Sequence, residues 1–378
     1  MSQPFSSVGR KVISALIMLL LLTVVRPAAA LQIMESQAAI LVERSTGRVL
    51  YEKNADVKMS IASTTKIMTA VVVLERGTLS DSVTISARAS QVWGSEIKLK
   101  AGEKLPLEEL LYGLLLESGN DAAIALAEHI GGSVEAFVEL MNDKAAEIGA
   151  ADTHFANPHG LDALEHYSTA RDMALIARYA LNDSVFARIV STREKHITGG
   201  RYLGNTNELL STLAGADGIK TGYTSGAGRC LVASATRNGL GLITVVLNSP
   251  TREKRALGSK KMLEWGFQNY QIHTLAEDGE EVVRIKVKKG QIPEIPLITS
   301  GSLRYPLTEY EYTYIQSEQH VPEQIIPPVR PGQTVGKLTY QVDGKVIAEI
   351  DLISPVGVQP KNYRDFFTQV LAFITKIL

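Results

Sequence analysis

A serine and a lysine three residues apart, Ser63 and Lys66, offer the first chemistry in this chain. The apolar run behind them, Ile67, Met68 and Ala70 to Leu74, has the make-up of a buried helix. Positions i and i+3 share a helix face, so the hydroxyl and the amine point into one space. Burial disfavours the charged form of lysine, and a neutral amine is a base toward serine. The pairing alone is a weak signal, since Ser-x-x-Lys arises by chance about once in a chain of this size. Ser95 and Lys98 repeat the spacing inside the polar stretch from Thr78 to Gly102, where no helical period fixes their relative placement. Two further clusters follow in order: Ser118-Gly119-Asn120 in a turn between two helical patterns, and Lys220-Thr221-Gly222 in a strand-like run. Ser118 taken alone reads as an N-cap for the second of those helices.

Regular elements must hold these groups. Ala38 to Tyr51 reads as a hairpin turning at Ser45-Thr46-Gly47, and the Ser63 helix ends near Gly77. Helical spacing covers Leu107 to Leu116, Ala122 to Ile130, about Ser133 to Ile148 and Thr169 to about Leu181. Three strands follow from Gly215, with turns at Ser225-Gly226-Ala227-Gly228 and Arg237-Asn238-Gly239, and then a helix from near Arg252 to Asn269. Together they predict an α/β (α+β) domain over 31–271, a mostly antiparallel sheet flanked by helices. In the loop after Asn157-Pro158, His159 and His166 lack a visible carboxylate partner and read as hydrogen-bonding or packing residues.

Past Tyr270 helix signals give way to prolines and short β-like runs at Val282–Val287, Tyr310–Gln316, Val335–Gln341 and Val346–Leu352. These predict a small all-β module over 277–358. Residues 361–378 place Phe366, Phe367, Val370, Leu371, Ile374, Ile377 and Leu378 on one helical stripe, with Lys361, Arg364, Gln369 and Lys376 largely opposite. Such a helix suits either a membrane interface or docking against the β-module.

Composition narrows the class of protein. With 378 residues, 45% hydrophobic and 21% charged, the chain has material for two domains with real cores. A net charge of −1 with interspersed signs gives no nucleic-acid footprint. Arg10 and Lys11, the apolar run Val12 to Val25, and Ala28-x-Ala30 read as a signal peptide, residues 1–30, cleaved after Ala30. Cys230 is alone, so an exported chain has no intrachain disulfide, and it reads as a small buried hydrophobe. No metal-ligand spacing and no cofactor motif is legible among the seven histidines and the rest of the chain.

The ordered set Ser63-Thr64-Thr65-Lys66, Ser118-Gly119-Asn120 and Lys220-Thr221-Gly222 resembles that of penicillin-binding proteins and class A β-lactamases. With Ile61-Ala62 ahead of the first motif, Asp121-Ala122 after the second, Gly218-Ile219 before the third, and Asn157-Pro158-His159-Gly160-Leu161-Asp162, the chain is similar to serine-type D-alanyl-D-alanine carboxypeptidases over essentially its whole length. The resemblance implies that Ser63 attacks the penultimate D-alanine carbonyl of a peptidoglycan stem peptide, forms an acyl-enzyme and is acylated likewise by β-lactams. It implies Lys66 as base, Ser118 and Lys220 as proton relays, Asn120 as a hydrogen-bonding partner of Lys66 or the substrate amide, and the Ser63 and Tyr223 N–H groups as an oxyanion hole. Thr221, Gly222, Tyr223 and, by the family pattern counted forward from Lys220, Arg255 would bind substrate, with Arg252 a second candidate for its carboxylate. It also implies work at the outer face of the cytoplasmic membrane, with the terminal helix as a peripheral anchor. A β-lactamase on the same scaffold needs a glutamate for fast deacylation; the usual Glu-x-x-Leu-Asn run is missing and Glu165 does not reproduce it. The remaining alternative is an idle penicillin-binding scaffold, which the complete motif set argues against.

Overall fold

Residues 35–377 are described by the computed structural model of the chain, and the signal peptide read at residues 1–30 lies outside them. The first hairpin is β1 (Ala38–Glu43) and β2 (Val49–Lys53). Next come α1 (Lys66–Arg76), α2 (Leu107–Leu115), α3 (Asn120–Gly131), α4 (Val134–Ile148), α5 (Ala170–Ala180) and α6 (Ser184–Ser191). Strands β3 (Ala216–Thr224), β4 (Gly228–Arg237) and β5 (Leu240–Ser249) precede the long helix α7 (Arg252–Asn269). The sheet order is β2-β1-β5-β4-β3, antiparallel throughout. The expected α/β architecture is the observed one.

This sheet is covered on both faces, which explains why its inner strands read as continuous apolar runs rather than alternating ones. Ile40, Cys230, Val232, Ile243 and Val245 face the core that holds α1 to α6. Leu41, Leu231, Ala233, Leu242 and Val246 face the other way, onto Met262 and Leu263 of α7. Leu257, on the same helix, is exposed. Asn238 and Gly239 both take positive φ, as a two-residue hairpin turn requires. Helix α1 is rich in β-branched residues that resist helix in isolation. Every residue from Lys66 to Val73 is buried, so tertiary packing decides its state.

Strand β6 (Gln271–Ala276) links helix α7 to the β-rich part read over 277–358. That part continues with β7 (Glu281–Val287), β8 (Glu294–Thr299) and β9 (Leu303–Leu307), and β6 pairs with β9. The run Tyr310–Gln316, expected to be a strand, is mostly the helix α8 (Glu309–Tyr314). Thr308 and Glu311 form a capping box there, and that local pairing overrides the alternating tyrosines. Strands β10 (Gln316–His320), β11 (Gln324–Ile325), β12 (Thr334–Val342) and β13 (Lys345–Ile353) complete a sheet ordered β10-β12-β13-β8-β7-β11. Arg48 in the first hairpin joins the two parts. It pairs with Glu311, donates to the Pro306 carbonyl and lies 5.4 and 5.2 Å from the Tyr270 and Tyr305 ring centres. The last helix, α9 (Tyr363–Ile377), leaves Phe366, Phe367, Val370, Leu371, Phe373 and Ile374 exposed, so among the described residues its apolar stripe does not dock against the β-module, and Leu378 of the stripe lies outside them.

One buried carboxylate ties the helical layer to the loop at the mouth of the molecule. Asp121, at the start of α3, accepts from the backbone N–H groups of Ile97, Leu99 and Ala122 at 2.9–3.1 Å. Asp121→Ala leaves two buried loop N–H groups unpaired and is expected to lower unfolding free energy by about 3 kcal/mol. Urea denaturation of the two proteins side by side measures the difference.

Candidate active site

Ser63 sits in a single 3-10 turn, Ala62–Thr65, which runs into α1 at Lys66. The α-helix thus begins at the lysine, and the serine stands on its threshold. Lys66 is completely buried. Its Nζ donates to Asn120 Oδ1 at 2.7 Å and to the His159 carbonyl at 2.7 Å, and Ser63 Oγ lies 3.1 Å away. Two of these three partners can only accept. A neutral Lys66 therefore spends both N–H groups on them and turns its lone pair to the Ser63 hydroxyl. Burial and the nearby Lys220 charge hold the Lys66 amine well below the ordinary lysine range, against the opposing pull of Asp121. Geometry and electrostatics together bring a hydroxyl into contact with an amine that readily gives up its charge.

The loop from Asn157 to Asp162 delivers the His159 carbonyl. Asn157 Oδ1 accepts from Gly160 N–H at 2.7 Å and Asn157 Nδ2 donates to the Leu161 carbonyl at 2.9 Å, closing the loop on itself. Gly160 has φ +89, and a Cβ there would stand 2.0 Å from the Ala62 carbonyl oxygen. Only glycine fits between this loop and the nucleophile turn. The histidines carry no charge here: burial pushes His159 down to about 3 and His166 to about 4. His166 Nδ1 accepts from Ala156 N–H, so Nε2 carries the proton toward Thr65 Oγ1, which donates to the Ala62 carbonyl. His166 braces the Ser63 turn, as a hydrogen-bonding reading predicts.

Asn120 is the first residue of α3, and its cap is Gly119 rather than Ser118. Its Nδ2 donates to the Trp93 carbonyl at 2.8 Å and its backbone N–H to the Ser95 carbonyl at 2.7 Å. Ser118 has φ +64, a costly conformation for a serine, and its buried Oγ has no hydrogen-bond partner. The N-cap reading of Ser118 therefore fails, and the hydroxyl is held free beside the cleft. Ser95 and Lys98 are not a second pair: Ser95 lends its carbonyl to Asn120 and lines the cleft, while the Lys98 side chain is exposed.

Strand β3 lies at the sheet edge beside the nucleophile turn. A Cβ on Gly222 would meet Ser63 N and the Ala62 Cβ at 3.0 Å, so the third residue of that motif is glycine because two backbones touch. Lys220 is 1% exposed and its Nζ donates to the Thr221 carbonyl at 3.2 Å. Burial, with the Arg255 charge, pushes the Lys220 amine down to about 7, and Glu117 acts the other way. Around the resulting cleft of about 270 Å³ stand Ser63, Ser118, Thr221, Gly222, Tyr223, Arg252 and Arg255, so the candidate residues converge. Glu117, Thr206 and Arg229 line it too and were not read from sequence. Arg229 stacks 3.6 Å from the Tyr223 ring centre, directly across the β3–β4 ladder, a position that hairpin register gives once the turn is known. Cys230 stays in the core, its thiol pushed up to about 11 by burial.

The matches to known proteins agree with this arrangement. Residues 24–251 match the family described as D-alanyl-D-alanine carboxypeptidase, peptidase S11. The chain belongs to that family. Residues 270–359 match the C-terminal domain of penicillin-binding protein 5. The D-alanyl-D-alanine carboxypeptidase DacF of Bacillus subtilis is 36% identical over 352 residues, 90% of each chain. DacC of Escherichia coli is 37% identical over 358 residues, 90% of this chain and 88% of its own. The crystal structure of penicillin-binding protein 5 from Haemophilus influenzae superposes with a TM-score of 0.79 at 34% identity, covering 86% of this chain and 97% of that one.

A buried lysine with a depressed pKa weakens the family fold in a pH-dependent way. Below about pH 7 Lys220 is charged both folded and unfolded, and the burial penalty is complete. As pH climbs toward the ordinary value of 10.5, folding no longer requires burying a charge and the penalty fades. Lys220→Met is expected to raise the thermal midpoint most below pH 7, with the gain shrinking by pH 10. Calorimetry across that range checks the sign.

Proposed function

We propose that this D-alanyl-D-alanine carboxypeptidase hydrolyses the terminal D-alanine of peptidoglycan stem peptides through an acyl-enzyme on Ser63. The observation that carries this reading is the Lys66 amine, fully buried and aimed at Ser63 Oγ by two carbonyl acceptors. The stem peptide runs along the free edge of β3. Lys66 takes the hydroxyl proton as Ser63 Oγ attacks the penultimate D-alanine carbonyl, and the oxyanion is held by the Ser63 and Tyr223 N–H groups. Ser118 and Lys220 return a proton to the departing D-alanine nitrogen, while Asn120 keeps Lys66 oriented. Thr221 and Arg255 hold the substrate carboxylate. Water, activated by the same amines, cleaves the ester, and D-Ala-terminated product leaves with Ser63 restored.

β-Lactams acylate the same serine, and their release is slow in this reading. Glu165, the one glutamate near a deacylating position in sequence, is an exposed residue that does not line the cleft. We further propose a catalytic domain over 31–271 and a β-rich domain over 277–358 that holds the cleft away from a membrane, outside the cytoplasm. The exposed apolar stripe of α9 supports peripheral attachment, since no helix among the described residues is long and apolar enough to cross a membrane.

Incubation of protein lacking residues 1–30 with a diacyl-D-Ala-D-Ala peptide is expected to release D-alanine, and Ser63→Ala to abolish release and labelling by fluorescent penicillin alike. Release undiminished in Ser63→Ala would sink the assignment. Removing residues 361–378 is expected to leave peptide hydrolysis intact and to abolish co-sedimentation with anionic lipid vesicles, which a pelleting assay reads directly.

A further inference from the structure

A short strap from Thr206 to Glu208 crosses the wall of the cleft and belongs to none of the three motifs. Thr206 Oγ1 lies 2.7 Å from Thr221 Oγ1. Asn207, buried, donates Nδ2 to the Gly218 carbonyl at 2.7 Å and accepts from Leu209 N–H, which fixes the strap against β3. Glu208 places both carboxylate oxygens 2.8 Å from Arg255 Nη2, and Arg252 Nε is 3.4 Å from the same carboxylate. Thr206 and Glu208, either side of Asn207, thus grip Thr221 and Arg255, the two groups assigned above to the substrate carboxylate.

Arg255 is only 4% exposed, and its Nε is buried without a partner. A guanidinium buried so deeply needs a counter-charge, and Glu208 supplies it. Glu208 occupies one corner of a planar fork and leaves the other donors for a ligand. Charge matters as much as position. Arg229, Arg252 and Arg255 line this end of the cleft with Glu117, and Glu208 stands behind Arg252 and Arg255 as their counter-charge. Without Glu208 this end would attract a second negative group as readily as the first.

We propose, resting on the carboxylate-binding reading of Arg255, that Glu208 is a positioning and specificity-setting residue. It clamps Arg255 so that the unpaired N–H groups meet the terminal carboxylate, and its charge repels substrates whose last residue carries a second carboxylate. The class selected is therefore a peptide ending in a D-amino acid with an uncharged side chain.

Steady-state kinetics on two diacyl peptides, ending in D-Ala-D-Ala and in D-Ala-D-Glu, test this with wild type, Glu208→Gln, Glu208→Asp and Arg255→Leu. Titration with a fluorescent penicillin gives the active, folded fraction of each. Glu208→Gln is expected to shift the kcat/KM ratio toward the D-Glu peptide by roughly tenfold, the usual coupling of charged groups in contact. Glu208→Asp keeps the charge and shortens the arm, so it should retain discrimination while raising KM for the D-Ala peptide. Arg255→Leu should raise KM for both peptides, and adding Glu208→Gln to it should cost nothing more. A merely structural Glu208 would lower both substrates equally and leave the ratio unmoved, which overturns the inference alone. If Glu208→Gln does not fold, unchanged KM in Glu208→Asp overturns it. An unaltered KM in Arg255→Leu removes the carboxylate reading of Arg255 and this inference with it.

Discussion

Two oxygens that can only accept hydrogen bonds, the His159 carbonyl and Asn120 Oδ1, decide the direction of the Lys66 lone pair. Everything around the cleft serves that choice. An exposed amine would be protonated and would rotate freely on four methylenes. Here the whole side chain is buried in the helical layer, so the amine has one place to be and a reason to be neutral. Under the proposed assignment, the reactivity of Ser63 follows from the protonation state of its neighbour rather than from anything unusual about the serine.

Holding two carbonyl-type acceptors on one buried amine requires three backbone segments to converge within van der Waals contact. The nucleophile turn lies between β3 and the Asn157–Asp162 loop, and both contacts are glycine-dependent: Gly222 touches Ser63 N and Gly160 touches the Ala62 carbonyl. On the far side, Asp121 draws the Ile97–Leu99 backbone inward, and Asn120 fastens the preceding residues through the Trp93 and Ser95 carbonyls. The Ser63 turn is packed against its neighbours through backbone contacts at Gly160 and Gly222, which rotamer changes do not loosen. That rigidity is what electrostatic preorganisation needs.

The degree to which sequence disclosed this structure follows from the range of each interaction. Period and turn chemistry act within a few residues, which is why the antiparallel sheet, α1 to α5 and α7 are legible, and why Asn238-Gly239 marks its hairpin. The same local logic failed at Tyr310, where a capping box two residues away outweighed alternation. The short helix α6 was missed because Ser184–Ser191 offers too few turns for a period to show. Ser63, Lys66, Ser118, Asn120 and Lys220 were legible as motifs, yet their convergence is tertiary. Glu117, Thr206 and Glu208 carry no spacing pattern and become visible only when the strap is folded against β3. Ser95 is the instructive case: read as a decoy of the Ser-x-x-Lys spacing, it serves as a carbonyl that fixes Asn120.

The cluster of buried charge also suggests how one site serves as base and acid in sequence. Lys220 repels charge on Lys66 and Arg255 repels charge on Lys220, so the two lysine amines do not titrate independently. Before substrate binds, that repulsion favours neutral amines, the state in which, under the proposed assignment, Lys66 accepts the Ser63 proton. A bound substrate carboxylate adds a negative charge beside Arg255 and offsets part of its effect on Lys220. Lys220 then holds a proton more firmly while the substrate is present, and has one to give to the departing nitrogen. Release of the leaving amino acid removes that carboxylate and restores the amines to their basic state for attack by water. Under the proposed assignment, the substrate's own charge times the change from base to acid, without movement of the protein.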